Sequence, residues 1–207
     1  MIKNIKNRKG FTLIELLVVI AIIAILAVVV VLTLNPAELL RQARDSNRIS
    51  DFATLKSALG LYSEDVNTTT AMYAGNSHVD DIFGTSGTAT STTSTYQTTA
   101  SSSWGFASGT TNTYIAVVST TARTVDGTGW LPVNFNAISS GAPISSEPVD
   151  PTNSGANVYL YAATSTSYKL ATKMESAKYG FNGASDVVST DGGNNTSTYE
   201  QGSNLQL

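Results

Sequence analysis

The sequence predicts an α+β protein: a long N-terminal α-helix, membrane-spanning and then amphipathic, packed on a small antiparallel β-sheet head. Three observations carry this expectation. Leu16–Leu32 is unbroken apolar sequence, and with its flanks it is long enough to cross a hydrocarbon core of about 30 Å as a helix. Ile49, Phe52, Leu55, Leu59 and Tyr62 recur at three- and four-residue steps, an apolar stripe along one helix face. Beyond Asn67, short apolar runs alternate with stretches of Ser, Thr, Gly, Asn and Pro, the pattern of a β-rich head.

The chain opens with MIKNIKNRKG, which carries Lys3, Lys6, Arg8 and Lys9 and no acid. The positive-inside rule holds such a segment in the cytoplasm and sends the C-terminus outward. One residue interrupts the apolar pattern near its start, Glu15. An acid costs roughly 2.5–3.5 kcal/mol at the centre of a membrane helix and less towards the interface, so it persists only where something compensates it. An ordinary secretory signal is cut after its apolar core. Here the expected cut, Gly10–Phe11, precedes that core, and the apolar helix would be retained.

Lys9-Gly10-Phe11-Thr12-Leu13-Ile14-Glu15 resembles the processing signature of type IV prepilins and of the related type II secretion pseudopilins. The match covers about the first 35 residues closely. The resemblance implies that a membrane-embedded prepilin peptidase cuts after Gly10 and that the new amino group of Phe11 is N-methylated. It further implies that Glu15 pairs with such an amino group as subunits enter a helical homo-oligomeric filament from an inner-membrane assembly platform. A protonated amine and a carboxylate attract strongly in low dielectric, where either alone is heavily penalised. The competing reading is a plain single-span anchor with Glu15 near the headgroups. The absence of cysteine departs from many Gram-negative type IV pilins, which close a C-terminal loop with a disulfide. It leans towards pseudopilins or cysteine-free pilins.

After the apolar run, Pro36 removes the amide that would bond the Leu32 carbonyl and marks a kink or a new helix start. The following residues to Val66 read as the amphipathic helix. Arg41 and Asp45 are spaced i,i+4 and Arg48 and Asp51 i,i+3, on faces expected to be exposed and left for neighbouring subunits. Helical from Phe11 to Val66, the spine would extend about 80 Å at 1.5 Å per residue.

In the head, fourteen of the nineteen residues from Thr85 to Ser103 are Ser or Thr. They can bury almost nothing and predict a long solvated loop, whose hydroxyls, including Thr92, Thr93 and Ser94, offer sites for O-linked glycans. Tyr114–Val118 and Trp130–Phe135 are strand candidates, Pro132 favouring an edge for the second. Val158–Tyr161 and Tyr168–Met174 read as a hairpin across Thr164–Ser167, with Tyr168, Leu170 and Met174 on one face and Lys169 and Lys173 on the other. Pro143–Asn157, including Glu147-Pro148-Val149-Asp150-Pro151, reads as a rigid connecting loop. Its proline-rich turn before a Tyr-rich hairpin resembles, more weakly, pseudopilin heads. From Gly180 a flexible polar tail is expected. Asp186, Asp191 and Glu200 supply the kind of oxygens that hard cations prefer, and the resemblance admits calcium in a C-terminal loop.

Several functions are disfavoured. Without the leader the chain holds eight Lys and Arg against fifteen Asp and Glu, a formal charge of −7, which argues against non-specific nucleic-acid binding by one subunit. The one histidine, His78, lies near Asp80 and Asp81, with no nucleophile elbow, phosphate-cradling glycine motif or His-rich metal motif elsewhere, so no enzyme and no cofactor are expected. The chain then divides into a leader at 1–10, a membrane or filament-core helix at 11–34, an amphipathic helix at 35–66 and a head at 67–207. The resemblance implies a pilus subunit, first a single-pass inner-membrane precursor in contact with lipid and then part of an extracellular filament. The alternatives are a pseudopilin of a secretion or competence system and a single-span surface binding protein.

Overall fold

The computed structural model describes residues 10–66, 82–84, 122–154, 156–163 and 167–207. The leader up to Lys9, His78 with Asp80 and Asp81, the Ser/Thr-rich loop with Thr92, Thr93 and Ser94, and Tyr114–Val118 lie outside the described residues. The chain forms two compact units, Met1–Leu39 and Leu40–Leu207.

Helix α1 spans Leu13–Leu34 and helix α2 spans Pro36–Asp65. Between them Asn35 adopts the left-handed conformation, φ 39° and ψ 73°, which Asn tolerates better than most residues. It ends one helix and starts the next. Its backbone carbonyl accepts from Glu38 N at 3.0 Å and Leu39 N at 3.3 Å, and its side-chain oxygen from Glu38 N at 3.4 Å. Pro36 follows at the first helical position, where the missing N–H is not needed.

In the second unit, α2 packs on a four-stranded antiparallel sheet of order β1-β2-β3-β4. The strands are β1 (Ile82–Gly84), β2 (Leu160–Ala163), β3 (Tyr168–Thr172) and β4 (Tyr199–Gly202). β2 and β3 form the expected hairpin, in register Tyr161 opposite Leu170 and Ala163 opposite Tyr168. Pleat alternation turns Tyr161, Tyr168, Leu170 and Tyr199 to the α2 side, where they join Phe52, Leu55, Leu59 and Tyr62 in one core. Phe52 meets Tyr159 edge-on at 5.1 Å between ring centroids and stacks on Tyr199 at 5.7 Å.

The expected apolar stripe of α2 is therefore the buried one, but its charged flank is a correction. Asp45 and Arg48 are fully buried, continuing the same face by the same three- and four-residue steps. Arg48 pairs with Asp45 at 2.6 Å rather than with Asp51, and its guanidinium forks onto Asp150 at 2.6 and 2.9 Å. Glu175 completes the cluster, accepting from both Arg44 and Arg48. Asp45 also accepts the backbone N–H groups of Glu175 and Ser176. Asp51 instead accepts from the Tyr159 hydroxyl at 2.7 Å. The charges can be buried because fixed partners from three segments meet them.

Two further expectations fail. Trp130–Phe135 is no strand: it makes one isolated bridge, Asp126 to Asn134, and runs into a 3-10 turn at Phe135–Ala137. Trp130, Leu131, Val133 and Phe135 are nonetheless all buried. Their backbone is satisfied locally and by side chains, as Val133 N donates to Leu131 O at 2.8 Å and Leu131 N to Glu147 Oε2 at 3.0 Å. Nor is the segment from Gly180 a loose tail, because it supplies β4 and buries Val188 and Glu200. Its polar composition reflects turns closed by Asp and Asn side chains, as where Asp186 accepts from Asn182, Val188 and Ser189.

Two predictions follow from this packing. Arg48→Met leaves Asp45 and Asp150 buried without their cation and should cost about 3–5 kcal/mol in urea unfolding. Glu147 is fully buried, and burial pushes its carboxyl up to about 8 from 4.5. It therefore stays protonated in the folded head at neutral pH, whereas the unfolded chain gives up that proton near pH 4.5. Its contribution is complete below pH 4.5 and is lost as pH rises towards 8. Between those values wild type should lose stability relative to Glu147→Gln, by at most about 1.4 kcal/mol per pH unit. Parallel pH profiles of the two proteins check this: the difference between them should grow from about pH 4.5 to 8 if the titration belongs to Glu147.

Candidate processing and assembly site

The first residues of the described chain gather around the start of α1. Gly10 and Phe11 are exposed and non-helical, Phe11 at 89 %. A Cβ added to Gly10 would meet nothing within 4 Å, so the folded subunit places no steric demand for glycine there. A requirement for glycine at this position would have to come from whatever handles the chain from outside.

Thr12 is the N-cap of α1, and Glu15 lies in its first turn. The two close a capping box: Glu15 N donates to Thr12 Oγ1 at 3.3 Å, while Thr12 N and Thr12 Oγ1 both donate to Glu15 Oε2 at 2.8 Å. The carboxylate also lies at the positive end of the helix dipole. In the isolated subunit Glu15 is thus partly compensated by its own chain, through one oxygen. Its Oε1 takes no part in the box. Thr12 was legible as the first residue of a Thr-x-x-Glu pattern preceding an apolar run, yet the dominant signal of Glu15 as a membrane misfit obscured it.

From there Leu13–Val31 forms a 19-residue span long and apolar enough to cross a membrane. All its large apolar side chains are exposed, the least so being Val18 at 48 %. Near its far end Thr33 donates its hydroxyl to the carbonyls of Val29 and Val30, both at 3.0 Å. Such back-bonding satisfies a polar side chain without help from solvent. Pro36, the expected break, heads α2 next to the left-handed Asn35.

The oxygens considered for a cation do not converge. Asp186 serves its own turn, whereas Asp191 and Glu200 lie around the buried Lys169. Among the described residues no group of three or more His, Cys, Asp or Glu is arranged to hold a metal.

Thr12→Val should leave the span intact and weaken its start, because it removes the side-chain half of the box. A lost N-cap of about 1 kcal/mol predicts roughly fivefold faster amide exchange at Glu15 for the protein in detergent. Thr12→Ser should restore the slow rate, and unchanged exchange in the Val variant would deny the cap any energetic role.

Residues 5–31 match the family described as the prokaryotic N-terminal methylation motif. Neither the curated proteins nor the solved structures yield a match to the chain. The matched segment contains Gly10, Phe11, the Thr12–Glu15 box and most of α1, whose large apolar side chains are exposed. This N-terminal segment thus carries the methylation motif of prepilins, which supports a structural protein of the type IV pilin and pseudopilin kind.

Proposed function

We propose that this chain is the structural subunit of a type IV pilus. Prepilin peptidase removes residues 1–10 by cutting between Gly10 and Phe11, and Phe11 is then N-methylated. The precursor is held in the inner membrane by residues 11–34 with its C-terminus outside. An assembly platform in that membrane then moves it into an extracellular helical homo-oligomer, with residues 35–66 continuing the spine and the head facing outward. No cofactor and no direct nucleic-acid contact by one subunit belong to this reading.

The observation that carries it is an acid at the head of an apolar helix whose large side chains are exposed along the whole span. A simple anchor needs neither Glu15 nor a Gly–Phe junction. A filament subunit uses both, because the carboxylate oxygen of Glu15 outside the capping box can receive the Phe11 amino group of a neighbour, and the two charges neutralise each other away from water. The apolar sides of α1 then pack against other copies as they formerly packed against lipid tails. A pseudopilin of a type II secretion or competence system is the second reading, favoured by the cysteine-free head and its Pro148–Pro151 turn.

The test is mass spectrometry of the N-terminal peptide from filaments sheared off the producing cells. Abundant peptide beginning at methylated Phe11 supports the pilus subunit. The same peptide found only in membranes supports the pseudopilin or a minor pilin, and retention of Met1 there returns the chain to a plain anchor. Glu15→Leu should be trimmed and inserted normally but absent from filaments, and Gly10→Leu should keep its leader on a gel.

A further inference from the structure

The face of the sheet turned away from α2 brings together an amine, a carboxylate and a side-chain amide. Pleat alternation along β3 sends Lys169 and Ala171 to this face, and Ala171 stands opposite Glu200 of β4, so Lys169 and Glu200 are diagonal neighbours. Both are fully buried. Lys169 Nζ lies 2.8 Å from Glu200 Oε1, 3.1 Å from Asn194 Oδ1, 2.9 Å from Leu205 O and 3.3 Å from Leu207 O. Glu200 Oε2 in turn accepts the backbone N–H of Asn194 at 2.8 Å. One carboxylate therefore touches both the amine and the residue whose side-chain amide that amine contacts. The close approach is built in: a Cβ on Gly193 would strike the Glu200 carboxylate, and a Cβ on Gly202, the residue opposite Lys169, would strike the Tyr168 carbonyl.

We propose that Lys169 and Asn194 form an intramolecular isopeptide bond, with Glu200 as the acid–base residue. Proton transfer from the Lys169 ammonium to the Glu200 carboxylate gives a neutral amine and a neutral acid. The two remaining N–H groups of the amine donate to the carbonyls of Leu205 and Leu207, which leaves its lone pair for Asn194. Attack of Nζ on the amide carbon forms the C–N bond as Glu200 gives its proton to Oδ1. Glu200 then relays protons from Nζ and from the oxygen, so that the original C–N bond breaks and one ammonia leaves. The products are a secondary amide, ammonia and a protonated Glu200, with no oxidant, metal or co-reactant consumed.

The surroundings favour this course. Burial pushes the Lys169 ammonium down and the Glu200 carboxyl up, each towards its uncharged form and against the pull of their mutual attraction. Asn194 as a residue is exposed while the amine and the carboxylate are not. Ammonia thus has a way out to solvent although the reacting pair is shielded from it. A chain with no cysteine would in this way close its C-terminal segment covalently onto the central strand.

The experiment is peptide mapping of the full-length protein, purified in detergent from the producing cells, fully denatured and digested with trypsin. The expected product is one species joining the Lys169 and Asn194 peptides, lighter by one ammonia than the two together, with no cleavage after Lys169. Recovery of the two peptides separately, with cleavage after Lys169, overturns the proposal. So does a link from Lys169 to Glu200 with loss of water. Glu200→Gln should abolish the link. Should that variant not fold, Asn194→Ala, at an exposed position and with the Lys169–Glu200 pair retained, should fold and yield only separate peptides. A wild-type yield of linked species in either variant would refute the assigned roles.

Discussion

The guanidinium of Arg48 decides how the spine helix and the head of this protein fit together. It is wholly buried and meets carboxylates from its own helix, from the Pro148–Pro151 turn and from the segment after β3. A buried cation tolerates only arrangements in which nearly every donor finds an acceptor. Sliding α2 by one turn would move the apolar stripe onto other apolar neighbours at modest cost, but it would strand this charge. The aromatic core supplies the bulk of the attraction and the ion cluster supplies the register. The planar fork on Asp150 also explains why lysine would be a poor substitute at this position.

The elements of the fold that rest on periodicity were legible. The apolar run, the stripe from Ile49 to Tyr62 and the Tyr-rich hairpin follow from local patterns whose period matches the structure. What misled was residue type standing in for position. Asp45 and Arg48 fall on the buried face by spacing, yet their charge reads as solvent-facing because their partners, Asp150 and Glu175, lie about a hundred residues or more away. Trp130–Phe135 has the composition of a strand but makes a single isolated bridge among the described residues, and its burial is achieved by an irregular path held by Glu147. The segment after Gly180 reads as loose because Asp, Asn and Gly favour turns in folded and unfolded chains alike, and only the β4 pairing distinguishes the two. At the N-terminus the junction and Glu15 were plain in the sequence, whereas the bonds of Thr12 needed coordinates.

The two units handle polar groups in opposite ways. The head hides charge and satisfies it with long-range partners, which ties distant segments together. The N-terminal helix meets its few polar groups from within, through the Thr12–Glu15 box and the back-bonded Thr33, and exposes the large apolar side chains of its span. Each strategy suits its surroundings: a globular core can recruit partners from anywhere in the chain, while a single helix in hydrocarbon has only its own turns to draw on.

That self-sufficiency has an energetic corollary. Lipid tails and the side chains of neighbouring helices are about equally apolar, so a uniformly oily helix gains little hydrophobic free energy by exchanging one for the other. With Thr33 satisfied and Glu15 partly compensated from within its own turns, α1 also loses little by the move. The two environments are then close to balanced, and the helix can pass either way between them. For a subunit that assembles as proposed, net travel in one direction would require work from outside the subunit, and stopping that work would let the same helix sink back into the bilayer undamaged.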